Sequence, residues 1–286
     1  MRKERVPRAG DTLKPMAGTL YLVATPIGNL EDITLRAVRV LKEADLIACE
    51  DTRQTRKLLD HYGIQTAVIS YHEHNEATRA PELVERLAGG ARIALVSDAG
   101  TPLVSDPGYR LVTQAAEKGI RVEPIPGPSA AIAALAASGL PTDEFRFAGF
   151  LPPRSAQRRK ALLRLKDESA TVIFYEAPHR LLETLDDIEE LLGERPVVIA
   201  RELTKIHEEF LRGTAAELKR AKPQLKGEVT LLIGKALHRE APADARPIPE
   251  AVEEFIRGGM SRMDAMKAVA KERGLSKRDV YRELTT

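Results

Sequence analysis

Short β-branched runs alternate with amphipathic stretches along the first half of the chain. Apolar runs stand at 19–24, 46–49, 67–70, 92–96 and 122–125, and apolar positions at helical spacing fill 34–43, 81–87 and 109–117. Strand-sized runs separated by helix-sized periods predict a β-α repeat around a parallel sheet with right-handed crossovers. This pattern defines an N-terminal α/β lobe over 18–128.

The pattern changes after Pro126, Gly127 and Pro128. An alanine-rich helix at 129–137 is followed by strand signals at 145–150, 171–175, 197–200 and 229–233. The segments 209–212 and 229–233 are expected to pair antiparallel, so a second α/β lobe at 129–238 is expected to carry a mixed sheet. An Ala/Pro/Asp-rich linker at 239–249 precedes a helical tail at 250–286. There an amphipathic run at 263–273 meets Gly274 as a stop and Ser276 as the cap of a second helix, a helix-turn-helix-like arrangement. Residues 1–17 read as a disordered basic leader.

Composition narrows the class. The 286 residues carry 44 Lys and Arg against 42 Asp and Glu, with 43% hydrophobic and 30% charged residues, as in an ordinary globular protein. Cys49 is the only cysteine, which excludes an intramolecular disulfide and a cysteine-rich zinc site. With no apolar run of transmembrane length and no signal-peptide core, a cytoplasmic protein without a membrane partner is expected.

The chemistry concentrates at strand ends. The run Ser97, Asp98, Ala99, Gly100, Thr101, Pro102, Leu103, Val104, Ser105, Asp106, Pro107, Gly108 puts carboxylates, hydroxyls, glycines and prolines directly after an apolar strand. Open α/β sheets form ligand crevices there. A blander reading has Ser105 and Asp106 capping the next helix. The first strand ends in a turn with one glycine, Gly28, where a dinucleotide fold needs three, and there is no phosphate-cradling Gly-Lys-Ser/Thr run. His72 and His74 make an incomplete ligand set, so no metal is expected.

Several ordered motifs carry a family likeness. Thr25-Pro26-Ile27-Gly28-Asn29-Leu30, Glu50-Asp51-Thr52-Arg53, Ser97-Asp98-Ala99-Gly100-Thr101-Pro102, Pro126-Gly127-Pro128-Ser129-Ala130 and Tyr175-Glu176-Ala177-Pro178-His179-Arg180 together resemble the tetrapyrrole methylase superfamily. Within it they are most similar to the branch acting on small-subunit ribosomal RNA. The resemblance implies a two-lobed α/β fold and S-adenosylmethionine in the cleft. It also implies a homodimer that methylates a cytidine ribose 2′-hydroxyl of 16S RNA. Carried over by motif, cofactor contacts are expected at Thr25, Pro26, Asp98, Ala99, Gly100, Thr101, Ser129, Ala130, Tyr175, Leu203, Glu228 and Thr230.

A ribose hydroxyl is a poor nucleophile, so a base or a nearby cation is needed. Lys205 and Glu208, with Asp51 behind them, are the candidates. Phosphate contacts are expected from Arg53, from the acid-free basic run containing Arg154, Arg158, Arg159 and Lys160, and from Lys277 and Arg278 in the tail. A solvated helix face would give the same basic run. Two other functions fit parts of the chain: a methyltransferase acting on a tetrapyrrole or other small molecule, and a non-catalytic RNA-binding protein.

Overall fold

The computed structural model describes residues 18–221, 226–236, 246–273 and 275–284. The expected leader, the linker as far as residue 245 and the Gly274 stop lie outside the described residues. The chain forms two compact units, Met1–Ala236 and Leu237–Thr286.

The first unit contains two five-stranded sheets. The first sheet is built from β1 (Thr19–Val23), β2 (Leu46–Cys49), β3 (Val68–Ser70), β4 (Arg92–Val96) and β5 (Arg121–Ile125), in the order β3-β2-β4-β1-β5. Every pairing in it is parallel. The crossovers are α1 (Leu35–Glu43), α2 (Thr52–His61), α3 (Glu76–Ala88) and α4 (Tyr109–Glu117).

Successive residues of a strand face opposite sides, and here both sides are apolar. Ile47, Cys49, Ala94 and Val96 bury against Ala37, Leu41 and Leu59 of α1 and α2. Leu46, Ala48, Ile93 and Leu95 bury against Leu83, Leu87 and Leu111 of α3 and α4. Burial on two faces is why these strands read as continuous hydrophobic runs. The helix α2 was hidden in the sequence because its outer face is Arg53, Gln54, Arg56, Lys57 and Asp60, leaving Thr55, Leu58 and Leu59 inside. Pro81 lies inside α3, which starts at Glu76, five residues before the expected helix.

The second sheet comprises β6 (Phe145–Phe150), β7 (Thr171–Glu176), β8 (Pro196–Arg201), β9 (Glu209–Thr214) and β10 (Val229–Ile233), ordered β6-β7-β10-β8-β9. It is mixed, as expected: β6 and β7 are parallel, and the other pairs are antiparallel. The expected pairing of 209–212 with 229–233 is not formed. All five residues of β10 are buried, so it occupies the centre between β7 and β8, and half-exposed β9 takes the edge beside β8. Around this sheet pack α5 (Ala130–Ser138), α6 (Ser155–Leu163), α7 (Leu181–Leu192) and α8 (Ala215–Arg220). The cluster of Ala131, Ala134, Ile173, Val198 and Leu232 also takes in Ile27, from the loop after β1, and so joins the two halves of the unit.

The second unit is three helices, α9 (Ile248–Arg257), α10 (Arg262–Glu272) and α11 (Lys277–Glu283), packed around Ile248, Val252, Met266, Val269 and Val280. Ser261 and Ser276 accept backbone hydrogen bonds from Asp264 and Asp279 as N-caps. The helix α9 begins inside the segment read as linker, with prolines at its first positions. Proline suits that place because it lacks only an N–H that has no partner there. Among the described residues no helix is long and apolar enough to cross a membrane.

Candidate functional site

A cavity of about 450 Å³ lies in the first unit where the carboxyl ends of both sheets meet. Ile27 follows β1, Glu50 follows β2, the 98–106 loop follows β4, and Ser129 and Ala130 follow β5. From the second sheet come Phe150, Tyr175, Glu176 and Leu203 at the ends of β6, β7 and β8. Because β10 runs antiparallel, its beginning reaches the same edge and adds Glu228, Val229 and Thr230.

The floor is fixed by main-chain bonds. Thr25 and Gly100 exchange two hydrogen bonds, of 2.9 and 3.0 Å, and the buried Thr25 hydroxyl donates to the Ser97 carbonyl. Gly100 has φ +79°, a conformation that disfavours any side chain. The backbone N–H of Asp51 donates to Asp98 Oδ1, which ties the strand ends of β2 and β4 together. On the opposite side Tyr175 packs edge-on against Phe147 and Phe150, at 5.0 and 5.5 Å between ring centroids.

The wall is acidic. Burial first, and then the charge of Asp98, raises the carboxyl pKa of Glu50. Burial first, and then the charge of Glu50, pushes Asp106 up to about 6. A cation entering the cavity would relieve this crowding of negative charge.

Ten of the twelve expected cofactor residues line the cavity: Asp98, Ala99, Gly100, Thr101, Ser129, Ala130, Tyr175, Leu203, Glu228 and Thr230. Thr25 and Pro26 do not. Thr25 lies beneath the floor, 2% exposed and bonded to its neighbours.

None of the three expected catalytic side chains lines the cavity, and each is engaged with neighbouring groups. Lys205 Nζ sits 2.8 Å from Glu202 and 2.7 Å from Glu228, and these carboxylates hold it as an ammonium, its pKa raised despite the opposing cost of burial. It clamps the loop after β8 to the start of β10. Glu208 accepts a 2.7 Å bond from the Thr204 N–H, so it shapes the same loop. Asp51 caps α2 and pairs with Arg53, which holds its carboxyl down to about 2. An anion held that firmly is a weak proton acceptor at neutral pH.

The basic run is also redistributed. The helix α6 turns Arg158 inward, 3% exposed, with Nε 2.6 Å from Asp187 and a longer contact to Glu183. Arg159 is forked onto Asp187 and Glu190. These two arginines hold α6 to α7, so neither belongs to a solvent-facing basic track. Arg154 and Lys160 remain exposed. Arg53, Arg56 and Lys57 form an exposed basic face on α2, which begins directly after Glu50 and Asp51. In the second unit Lys277 and Arg278 are exposed. His72 and His74 stack edge-on, with centroids 6.0 Å apart, and among the described residues no cluster of His, Cys, Asp and Glu could hold a metal ion.

Asp106, in the crevice-forming run after β4, and Glu50, in the Glu50-Asp51 motif after β2, were visible in the sequence but were given no specific site role there. Asp106 resembled a helix cap, but the N-cap of α4 is Gly108 and makes no side-chain cap bond. The available signal was its position in the same loop as Asp98.

Two α/β halves enclosing an acidic cavity at the carboxyl ends of their strands match a known family architecture. Residues 19–219 match the family model described as tetrapyrrole (corrin/porphyrin) methylases, and the chain belongs to that family. Its membership makes the chain an S-adenosylmethionine-dependent methyltransferase. Its curated relatives place it in a particular branch. It is 54% identical to ribosomal RNA small subunit methyltransferase I of Halalkalibacterium halodurans over 271 residues, covering 92% of this chain and 93% of the relative. It is 45% identical to the protein of that name from Bacillus subtilis, with coverages of 92% and 93%. Among solved structures, diphthine synthase aligns with TM-score 0.59 at 17% identity, covering 77% of this chain and 92% of that one. Uroporphyrin-III-C-methyltransferase from Thermus thermophilus aligns with TM-score 0.54 at 23% identity, with coverages of 77% and 96%. These two likenesses concern the fold.

The cavity fits S-adenosylmethionine by charge and shape. Asp98, Glu50 and Asp106 are complementary to a sulfonium and an ammonium, and Ile27, Val104 and Leu203 supply apolar wall for an aromatic base.

Proposed function

We propose that this chain methylates the ribose 2′-oxygen of a cytidine in small-subunit (16S) ribosomal RNA, acting in the cytoplasm as a homodimer. The observation that carries the reading is the likeness to small-subunit ribosomal RNA methyltransferases over 92% of the chain, more than the first unit alone can account for. Bound S-adenosylmethionine supplies an electrophilic methyl group on a positively charged sulfur. The protein's part is to hold donor and acceptor in line and to keep water from the reacting atoms.

Asp98 and the main chain of Ala99 to Thr101 hold the cofactor from the first sheet, while Tyr175, Leu203 and Thr230 close over it from the second. Lys205 keeps Glu228 and the loop after β8 in register with that wall. The RNA backbone is gripped by Arg53, Arg56 and Lys57 beside the cavity and by Arg154, Lys160, Lys277 and Arg278. Single-stranded RNA suits this design, because a splayed nucleotide can place its ribose in the cavity while the flanking phosphates meet basic side chains.

The test is transfer of labelled methyl from S-adenosylmethionine to purified, undermodified small ribosomal subunits, followed by nuclease mapping. Label on one cytidine ribose is expected. Label absent from RNA despite measurable cofactor binding would point to a small-molecule acceptor such as a tetrapyrrole.

A second expectation concerns the α2 face. Replacing Arg53, Arg56 and Lys57 together by glutamine should flatten the dependence of log affinity on log salt by about 2, at roughly 0.7 per lost phosphate contact on a single strand. Arg159→Gln should leave that slope unchanged. An unaltered slope in the triple variant would remove α2 from the interface.

A further inference from the structure

Once the three expected catalytic groups are committed elsewhere, the proton of the acceptor hydroxyl has no assigned destination. We propose that Asp106 is the general base that receives it, an assignment that rests on the 2′-hydroxyl reading above. Three observations converge on this side chain.

The first is position. Asp106 is half-buried in the cavity wall, and among the described residues it forms no ion pair. The groups that bear on it are Glu50 after β2, Asp98 and Ser97 after β4, and Tyr175 on β7. Two of these repel its charge, and only the Ser97 hydroxyl supports it.

The second is backbone strain. Leu103 and Ser105 have φ of +71° and +69°, a region that side-chain-bearing residues occupy at a cost. Gly108 has φ +140°, and a Cβ there would stand 2.8 Å from Leu95 Cδ2 and 3.0 Å from Leu103 Cγ. The loop is thus held in one costly shape, and that shape turns Asp106 into the cavity.

The third is that Asp106 does not perform the helix-capping role its Ser-Asp-Pro setting suggests, since the N-cap of α4 is Gly108. An ionised carboxylate that faces the cavity with no cationic side chain paired to it among the described residues is free to take a proton.

The step balances. The 2′-oxygen bonds to the methyl carbon as the carbon–sulfur bond breaks, its electron pair returns to sulfur, and the hydroxyl proton passes to an Asp106 carboxylate oxygen.

The test uses the full-length wild type and Asp106→Asn, with undermodified small subunits at saturating RNA and cofactor. The expected result is a fall in kcat of about 100-fold or more, the usual contribution of a positioned base, with cofactor affinity by calorimetry falling far less than kcat. The wild-type kcat/KM, which reports the free enzyme, should also fall on the acid side of about pH 6, where the carboxyl becomes protonated.

A readout independent of turnover follows from linkage. A carboxyl whose folded-state pKa lies above its unfolded value of 3.8 destabilises the fold when ionised. That penalty is absent below the unfolded value, grows between about pH 4 and 6, and is complete above. Asp106→Asn should therefore melt higher than wild type at pH 8, with the gap closing by about pH 4. A purely structural aspartate would instead give a lower melting point at every pH.

The assignment is overturned if Asp106→Asn retains kcat within about fivefold, if cofactor affinity falls while kcat survives, or if the wild-type kcat/KM is flat from pH 5 to 8. The last measurement does not require the variant to fold. A wild type that labels no RNA would overturn the proposed function itself, whereas a labelling wild type with an equally active variant would overturn only the base.

Discussion

Replacing Asp187 by alanine is expected to lower the unfolding free energy by about 3–5 kcal/mol, the usual cost of stranding a buried charge. Asp187 is the point where two guanidinium groups from α6 meet α7, at 2.6 Å for Arg158 and 2.8 Å for Arg159. Arg159 would keep Glu190 as partner and has water within reach. Arg158 would keep only its 3.4 Å contact to Glu183, from a site where its own side chain is 3% exposed. One of its nitrogens, Nη1, is already buried without a partner, so the site has little spare polarity to offer. Urea denaturation of the full-length chain, followed by circular dichroism, measures the loss. Glu183→Ala is the control and should cost less than about 1 kcal/mol, as for an exposed partner. Equal losses in the two variants would show that Asp187 is not the anchor.

Glu176→Ala is expected to match that loss and to weaken cofactor binding as well. The Glu176 carboxylate closes β7 and is fully buried, accepting bonds from the Ala177 N–H at 2.7 Å, Arg180 Nη2 at 2.6 Å and Thr184 Oγ1 at 2.8 Å. Removing it strands three donors at once, one of them a guanidinium whose Nε is already unpartnered. Each stranded buried donor costs about 1–3 kcal/mol. Glu176, Ala177 and Pro178 also line the cavity, so the damage lands on the wall facing Asp98 and Glu50. Calorimetric titration with S-adenosylmethionine should show affinity falling by about tenfold or more, while Asp187→Ala, remote from the cavity lining, leaves affinity near wild type in the folded fraction. If Glu176→Ala destabilises without touching affinity, the carboxylate serves only α7.

The strand ends were legible because the same residues that stop a strand also shape a ligand crevice. The glycines, prolines and carboxylates after β4 announced both, while the full set of ten expected residues that line the cavity came from the family resemblance. What stayed hidden was pairing at a distance. The acid-free stretch around α6 looked solvent-facing because its counter-charges, Glu183, Asp187 and Glu190, lie more than twenty residues onward and meet it only in three dimensions. The strand signal of β10 was plain, but its partners were not, since a fully apolar run fits the centre of a sheet in either direction. Asp106 was masked by an alternative with the same residue types, a Ser-Asp-Pro helix entry. Only the observed cap at Gly108 and the strained angles on either side of the loop separate the two.

The placement of β10 also governs when the site can exist. The central strand of the second sheet is the last strand of its unit to be made, and β7 and β8 are hydrogen-bonded through it rather than to each other. A chain emerging in order can assemble the first sheet once residue 125 is out, from connections of modest length. The second sheet has to wait for residues 229–233 to slot between strands synthesised some 30 to 60 residues earlier, a non-local closure that slows folding. Until then the half-cavity from the first sheet has no opposite wall. A nascent or truncated chain ending before Val229 is therefore blind to the cofactor, so the ability to bind it reports that the whole first unit has closed.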